Sequence, residues 1–440
     1  MTAATRRSFL STSSAAVTLT AAQAASGVPA SERVRVGVIG AGGRALSLIK
    51  SFAANPSADV VTIADVDRSR FAKAVQAAAD LQNTKPRTDS DFRRIIDDPT
   101  IDALVIGAPD HWHAIPTILG CLAGKDVYVE KPDAHNIEEG RRMVAAMKKH
   151  KRIVQMGSQH RSTHRLQSAM EYAAAGHLGR CLVAKAWEST RQGNIGRPAN
   201  SEPPAGVDYD MWLGSAPKRP FNRNRFHGRW RWFFDYGTGD LGNDGVHRLD
   251  MAVAVMDAAA KARNDPPLGL PQQIHASGGK WYFDDDQEFP DTMQVTYQFD
   301  SGKATRLLTY EMRLWAPYHY LNQSEGAAVF GDRGYLVIGN SGWQAFEAKG
   351  RLVAEESGGS HEAPHVQNFL DCIKSRKRPV CDLETVGHPA SVLCHAGNIA
   401  ARIGRSLQLD PMTETFSDDP QANELIGRPE YRKPWTLPDV

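Results

Sequence analysis

Apolar and polar positions follow two different patterns along the chain, and the change falls near residue 158. Before it, short apolar runs alternate with stretches of helical spacing, which predicts parallel strands joined by helices. The predicted strands are Arg33–Ile39, Val60–Ala64, Asp102–Ala108, Val127–Val129 and Arg152–Gly157. Residues 33–157 are therefore predicted to form a doubly wound α/β domain with a parallel sheet.

After residue 158 the pattern predicts a second domain that extends to about residue 406. Strict alternation in Met293–Phe299 is typical of a half-buried antiparallel strand, and similar runs follow it. The exposed face of such a sheet is a candidate oligomer interface. The irregular stretch Arg191–Arg225 is predicted either to cover a ligand or to wrap the sheet. Residues 407–440 are polar and contain proline, which predicts a C-terminal tail on the surface.

Length and charge limit the classes of function. A chain of 440 residues is too long for one core, so two domains are expected. The formal net charge of +2 comes from Arg6 and Arg7, and the rest of the chain is formally neutral. Neither nucleic acid nor an anionic membrane is therefore an expected partner. Five cysteines without CxxC spacing predict buried thiols instead of a disulfide framework.

The first 30 residues are predicted to be an export signal and a linker. Arg6 and Arg7 form a twin-arginine pattern, a mild apolar region follows, and Ala22–Ala24 is a small-residue cleavage signature. The region is too polar to span a bilayer, so no membrane anchor is expected. The sequence predicts a periplasmic or otherwise exported protein whose partner is the twin-arginine export machinery. The alternative is a disordered tail.

A glycine-rich turn joins the first predicted strand to a helix. The turn runs from Gly40 through Gly42 and Gly43 to Ala45, which matches G-x-G-x-x-A. The first glycine allows the tight turn, the second permits close approach of a pyrophosphate, and Ala45 permits close packing of helix on strand. Phosphates would lie at the helix N-terminus, where free N–H groups favour negative charge. This part of the chain is therefore predicted to be a Rossmann domain.

Asp65 at the end of the second strand predicts the choice of nucleotide. Its carboxylate can accept hydrogen bonds from ribose hydroxyls and would repel a 2′-phosphate, which favours NAD. NADP stays an alternative because Arg68 is close in sequence. Asp65 could instead cap the helix that begins near Ser69, a role that Asp67 could equally supply.

Two further strand ends contribute predicted site residues. Lys131 follows a strand within Glu130-Lys131-Pro132, and His113 lies beyond another in Pro109–His113. No third ligand lies at a sequence spacing typical of metal sites from His111 and His113, so no metal site is predicted. His113 is predicted to line the nicotinamide pocket. The predicted cofactor-binding residues are Gly40, Gly42, Gly43, Ala45, Asp65, Pro109, His113, Glu130 and Lys131.

With these motifs in this order, the chain resembles the Gfo/Idh/MocA family, the relatives of glucose–fructose oxidoreductase and inositol dehydrogenase. The resemblance continues in Trp230–Asp250 and His365–Asp371. It implies a C-terminal α/β domain with a large, mostly antiparallel sheet that commonly supports homo-oligomers. It also implies pyridine-nucleotide redox chemistry on sugars or cyclitols.

The segment Trp230–Asp250 supplies the predicted substrate-binding residues, which are Lys131, Trp230, Asn243 and His247. Asn243 and His247 are four residues apart and share a helix face. The resemblance implies an aspartate at position 243, and Asn243 cannot take a proton. His247 is therefore the predicted general base, and Lys131 the predicted hydrogen-bond donor to the reacting oxygen. The alternatives are that His247 is a structural histidine of the core and that Lys131 is an ordinary surface lysine.

Three functions are consistent with these residues. The first is an exported NAD(P)-dependent oxidoreductase that acts on a hydroxyl of a sugar or glycoside and holds its cofactor tightly. The second is an NAD-dependent glycoside hydrolase that oxidises the ring transiently and eliminates the aglycone. The third is a sugar-binding protein without catalysis, because fold alone does not establish activity.

Overall fold

The structure is a computed structural model that describes residues 29–82, 84–302, 304–359 and 362–440. The twin-arginine pattern and the predicted cleavage signature lie outside the described residues. Within them, no helix is long and apolar enough to cross a membrane. All five cysteines are buried free thiols, as the sequence predicts.

The first domain contains a six-stranded parallel sheet of order β3-β2-β1-β4-β5-β6. Its strands are β1 Val34–Ile39, β2 Ala58–Ala64, β3 Arg87–Asp89, β4 Ala103–Ile106, β5 Asp126–Val129 and β6 Val154–Met156. Its helices are α1 Gly43–Ala53, α2 Phe71–Gln82, α3 Arg93–Asp97, α4 Ala114–Leu122 and α5 Ile137–Lys149. The predicted Rossmann sheet is confirmed, and β3 is an additional edge strand.

The second domain contains a ten-stranded mixed sheet, in which β10 pairs with β7 in parallel and the other pairs are antiparallel. In spatial order it is β14-β13-β12-β11-β7-β10-β9-β8-β15-β16, with β7 Cys181–Ser189, β8 Gln273–Gly279, β9 Thr292–Asp300, β10 Thr305–Arg313, β11 Glu325–Gly331, β12 Gly334–Gly339, β13 Gly342–Glu347, β14 Leu352–Ser357, β15 Leu407–Asp410 and β16 Thr415–Phe416. The remaining helices are α6 His164–Ala174, α7 Tyr209–Leu213, α8 Val246–Lys261, α9 Ala363–Ser375, α10 His388–Ile403 and α11 Pro420–Asn423. The predicted mostly antiparallel sheet is confirmed.

One face of the large sheet is covered by helices α6, α8 and α10. Helix α8 packs against β7 and β11, and most of its side chains are buried because it is enclosed by sheet and helices. Alternate residues of β9, such as Val295 and Tyr297, point into this core. On the opposite face a smaller cluster surrounds Trp187, and Val183 and Leu307 are exposed.

The chain crosses back to the first domain near its end. In α9, Phe369 packs edge-on against Phe52 and Tyr128, with ring centroids 6.2 and 5.8 Å apart. Near the C-terminus, Trp435 is buried against Trp112, at a centroid distance of 5.0 Å. The predicted surface tail also contributes β15 and β16 to the large sheet. It is therefore part of both cores, because Leu407, Leu409, Phe416, Ile426 and Trp435 are buried.

Candidate active site

A cavity of about 350 Å³ lies at the carboxyl ends of the parallel strands, between the two domains. It brings together most of the predicted site residues, which are Gly40, Gly42, Gly43, Asp65, Pro109, His113, Glu130, Lys131, Trp230 and Asn243. Ala45 and His247 are not part of its wall. A crevice at this edge of a doubly wound sheet is the usual ligand site of the fold.

The glycine-rich turn has the geometry that a pyrophosphate requires. Gly40 has φ +101°, and a Cβ there would lie 3.0 Å from the main chain of Gly107. Gly42 is the N-cap of α1 and offers no side-chain cap, so the first N–H groups of the helix stay available. An added Cβ on Gly43 would meet open space. Ala45 is fully buried and lies against Gly107, so it packs helix against strand and does not touch the cavity.

Asp65 is held where a ribose would lie. Its carboxylate accepts main-chain hydrogen bonds from Ala41 at 2.6 Å and from Asp67 at 2.8 Å. Burial raises the pKa of Asp65, and these two donors oppose the shift. The cap of the following helix comes from Asp67, which accepts from the main-chain N–H of Ser69 at 3.0 Å. The alternative capping role is thus filled by Asp67, and Asp65 faces the cavity.

The cation near the ribose position is Arg70. Arg70 lines the cavity, and its Nη1 lies 2.6 Å from the position that a Cβ on Gly42 would take. Its Nε is 3.3 Å from the carboxylate of Asp67. Arg68, which the sequence suggested as a phosphate partner, does not line the cavity. Asp65 and Arg70 together therefore border the expected position of the adenosine ribose. NADP carries a 2′-phosphate on this ribose, and NAD does not.

Part of the irregular stretch between β7 and α8 closes over this end of the cavity. The main-chain N–H of Asp208 donates to Val66 O at 2.9 Å, and that of Arg68 to Gly206 O at 3.2 Å. His227 lies 2.7 Å from the carboxylate of Asp67 through its Nε2. The stretch thus binds the residues that follow β2, at the predicted adenosine end.

Both histidines of the His111-x-His113 pair contact main-chain carbonyls. The ring nitrogens of His111 lie 3.3 Å from Tyr236 O and 2.9 Å from Trp212 O, and burial lowers its pKa to about 3. His113 lies 2.7 Å from Pro132 O and 3.0 Å from Ala108 O. His113 therefore ties the end of β4 to the segment that carries Lys131.

Glu130 and Arg44 join the glycine-rich helix to this same segment. The Nε of Arg44 donates to Glu130 at 2.7 Å, and its Nη1 donates to Glu362 at 2.8 Å. Glu130 is nearly fully buried, so its contact with the cavity is small. It positions Arg44 beside the turn that would hold the phosphates.

Lys131 crosses from the first domain to Asn243 in the second. Its Nζ donates to the main-chain oxygen of Asn243 and, at 3.2 Å, to the Oδ1 of its side chain. The Nδ2 of Asn243 donates to Asp240 at 3.1 Å and to Asp244 at 3.0 Å. Both hydrogens of the amide are therefore used on carboxylates, which leaves the amide oxygen directed at Lys131.

The carboxylates behind Asn243 were not predicted from the sequence. Oxygen atoms of Glu188, Asp240 and Asp244 lie within 4.8 Å of one another. Burial raises the pKa of Glu188 and of Asp240, and the charge of Asp244 raises both further. A proton competes with a metal ion for a carboxyl whose pKa is raised, so we interpret this group as hydrogen-bonded support for Asn243. Asp240 stands three residues before Asn243 and could have been noticed, whereas Glu188 is distant in sequence.

His247 lies one turn after Asn243 and is almost completely buried. Its Nδ1 is 3.4 Å from Ser158 Oγ, and its ring meets that of His160 edge-on at 4.6 Å. Burial lowers the pKa of His247 far below its usual value, and the charges of His160 and Lys131 lower it further. The imidazole is therefore neutral at neutral pH, the state that a general base needs. Ser158 also donates to Asp250 at 3.2 Å, so Asp250 acts on the imidazole only through that hydroxyl.

Comparison with known proteins agrees with this geometry. Residues 34–158 match the family model described as an oxidoreductase family with an NAD-binding Rossmann fold. Residues 183–299 and 356–437 match the model for the C-terminal alpha/beta domain of the same family. Together the two models match most of the chain.

Several characterised proteins are similar over part of their length. A "Glycosyl hydrolase family 109 protein 2" of Shewanella sp. (strain ANA-3) is 34% identical over 116 residues, which cover 26% of this chain and 25% of that protein. A levoglucosan dehydrogenase of Pseudarthrobacter phenanthrenivorans is 28% identical over 191 residues, covering 43% of this chain and 42% of that one. The chain thus spans less than half the length of these relatives.

Solved structures extend the similarity at the level of the fold. The levoglucosan dehydrogenase complex with NADH and levoglucosan superposes with a TM-score of 0.65 at 19% sequence identity, covering 86% of this chain and 99% of that one. The fold, the nucleotide turn and both family models lead to one conclusion. The chain belongs to the Gfo/Idh/MocA oxidoreductase family, and its first domain is an NAD-binding Rossmann domain.

Proposed function

We propose that the protein is an exported NAD(P)-dependent oxidoreductase that moves hydride between a secondary hydroxyl of a sugar or glycoside and a tightly held nicotinamide cofactor. The observation that supports this most directly is the contact between Lys131 and Asn243. It brings a hydrogen-bond donor of the first domain and an amide acceptor of the second domain to the same cavity as the nucleotide turn. Similarity to a levoglucosan dehydrogenase supports a sugar as substrate.

The proposed chemistry divides between cofactor and side chains. When bound, the nicotinamide accepts or returns the hydride. Lys131 has three ammonium hydrogens, and it can give one to the substrate oxygen while keeping its contact with Asn243. That hydrogen bond strengthens as the oxygen gains negative charge, which favours the transition state. The neutral imidazole of His247, one turn behind Asn243, is the proposed acceptor of the hydroxyl proton during oxidation and its donor during reduction. This role requires the substrate hydroxyl to reach past the wall at Asn243.

Replacement of the two proposed catalytic residues tests this assignment. Lys131→Ala and His247→Ala should each abolish turnover and leave the nucleotide bound, measured by mass analysis of nucleotide released on heating. Lys149→Ala removes an exposed lysine away from the cavity and serves as the matched control. Near-normal turnover in both catalytic variants would refute the mechanism, and a protein that binds neither NAD nor NADP would refute the function.

The contacts over the adenosine end support tight retention of the cofactor. Release of the nucleotide would require the segment at Gly206–Asp208 and His227 to separate from Val66–Arg68. A second sugar or ketone would then return the cofactor to its starting redox state. Dialysis should leave the nucleotide bound to the wild type, and His227→Ala should accelerate its loss. Equal retention by both proteins would argue against this part of the proposal.

A hydrolase is the second candidate, and similarity to a glycosyl hydrolase family 109 protein favours it. In that case the ring would be oxidised, the aglycone eliminated, water added and the ring reduced, without net redox change. Release of aglycone from a glycoside without any added electron acceptor would support hydrolysis. Turnover only when a second sugar or ketone is present would support the oxidoreductase.

We also propose export through the twin-arginine route and assembly with a second copy. Export is supported by sequence pattern alone, by Arg6 and Arg7, the mild apolar region after them and the cleavage signature Ala22–Ala24. A protein found only in the cytoplasm with an intact N-terminus would contradict it. Assembly is supported by exposed apolar side chains on the outer face of the large sheet, where Val183 is 41% and Leu307 36% exposed. Leu307→Glu should shift a dimer toward the monomer in light scattering, and an unchanged mass would argue against this face.

A further inference from the structure

Arg231 is a cation on the cavity wall whose guanidinium has no hydrogen-bonding partner among the described residues. It lies in the short turn of 3-10 helix Arg229–Trp232. Within the part of the chain that the structure describes, its guanidinium makes no hydrogen bond or salt bridge, and its Nε is buried. A guanidinium carries five N–H donors, and buried donors without acceptors are costly. An arginine in this state at a ligand cavity indicates a ligand that supplies the acceptors.

The other cationic side chains on the wall differ from Arg231 because each has a partner. These pairs are Arg44 with Glu130, Arg70 with Asp67, and Lys131 with Asn243. Their charges are therefore directed at protein groups.

Two carboxyls lie close enough to Arg231 to interact with its charge, but neither is bonded to it. They belong to Asp110 and Asp240. Asp110 accepts from Thr238 Oγ1 at 2.8 Å, and Asp240 accepts from Asn243 at 3.1 Å. Burial raises the pKa of both carboxyls, and the charge of Arg231 opposes that rise. They keep Arg231 at this end of the cavity and leave its donors free.

Arg231 lies at the end of the cavity that contains Lys131. Asp110 has both cations as neighbours, and Asn243 connects Lys131 to the other carboxyl beside Arg231. The pyrophosphate position is at Gly42, the N-cap of α1. The side chain of Trp230 lies next to Arg231, with its ring centroid 5.9 Å from the guanidinium carbon. One sugar ring could therefore rest against Trp230 and reach both cations.

We propose that Arg231 binds an anionic group of the sugar, a carboxylate or a phosphate, so that the protein acts on sugar acids or sugar phosphates in preference to neutral sugars. This rests on the proposed function, since it assigns the substrate of that same site. A planar guanidinium fits either anion through paired hydrogen bonds. Charge-assisted bonds of this kind correspond to about 10- to 100-fold in affinity.

Calorimetric titration of the wild type with its nucleotide bound tests the preference. The ligands are glucuronate and galacturonate, the phosphates of glucose and galactose, and the two parent sugars. At least one anionic sugar should bind about 10-fold or more tightly than its parent. Arg231→Gln should remove that advantage, so that the anionic sugar binds no more tightly than its parent. Preference for uronates identifies a carboxylate as the anion, and preference for the phosphates identifies a phosphate.

The neighbouring Arg229→Gln is the matched control. Arg229 is exposed, bonds to Asn224 at 2.7 Å and lies outside the cavity wall, so the same loss of charge should leave the preference intact. Equal binding of anionic and parent sugars, or a preference that survives in Arg231→Gln, would overturn the proposal. Loss of the bound nucleotide from Arg231→Gln would overturn it too, since Arg231 would then belong to the cofactor site. If no sugar of either class reduces the nucleotide, the proposed function itself fails.

Discussion

His388 should make the stability of the protein depend on pH above neutrality. It is buried at the start of α10, with its Nδ1 2.9 Å from Asp133 and its Nε2 2.9 Å from Glu414. Burial alone would lower the pKa of His388, but the two carboxylates, Asp133 above all, raise it to about 9 from 6.5. Asp133 is two residues from Lys131, so this pair also fixes the segment that carries the proposed catalytic lysine.

The direction in which pH changes the stability follows from the raised pKa of His388. Because the pKa is higher in the folded protein, the folded state binds the proton more tightly than the unfolded state. The stabilisation is complete below pH 6.5 and is lost as the pH rises through about 9. A shift of this size corresponds to about 3 kcal/mol of unfolding free energy.

The measurement compares wild type with His388→Gln by urea denaturation across this window. The free-energy difference between the two proteins should shrink by about 3 kcal/mol from about pH 6.5 to about pH 9.5. His395→Gln is the control, because burial lowers the pKa of His395 to about 4 and keeps it neutral throughout. Its difference from wild type should stay constant. A constant difference for His388→Gln as well would refute a protonated His388 between two carboxylates.

Three further substitutions give distinct expectations. Asn243→Asp should destabilise the protein by about 1 to 3 kcal/mol at pH 8 and less at pH 5, because a carboxylate replaces the two hydrogen bonds that the amide donates to acids. Asp65→Ala should weaken NAD binding by about 10-fold and narrow the preference over NADP, measured by titration of the two nucleotides. Trp435→Ala should cost about 3 kcal/mol in urea denaturation, because the ring is buried against Trp112.

Each of these has an outcome that would contradict it. Equal destabilisation of Asn243→Asp at both pH values would mean that carboxylate repulsion is absent. Unchanged NAD affinity in Asp65→Ala would remove Asp65 from the ribose site. Met412 is 90% exposed in the same C-terminal stretch, so Met412→Ala should leave stability unchanged. A similar loss in both C-terminal variants would show that burial of Trp435 is not the cause.

Local pattern was enough to predict the Rossmann sheet and the nucleotide turn. Strand β1, the glycine-rich turn and helix α1 are consecutive, so their arrangement follows from residues close in sequence. The edge strand β3 was missed because Arg87–Asp89 is polar and only three residues long. The segment is a strand because it pairs with β2. That pairing cannot be inferred from the three residues alone.

Contacts between distant residues account for most of what the sequence did not reveal. Glu188 joins the carboxyls behind Asn243 because β7 passes behind the start of α8. No sequence motif indicates that these two elements are neighbours. The partners Asp133 and His388 are separated by 255 residues. The position of His247 off the cavity wall is also a packing result, since Asn243 of the previous turn takes the place beside Lys131.

The burial of Trp435 in the first domain has a consequence for the order of events during synthesis. The core of the nucleotide-binding domain contains side chains from α9 and from the last residues of the chain, so it cannot be completed when residue 157 leaves the ribosome. A truncated chain would present an unfinished nucleotide domain with exposed apolar surface around Phe92 and Trp112. Completion of the nucleotide-binding domain therefore waits for the residues up to Trp435.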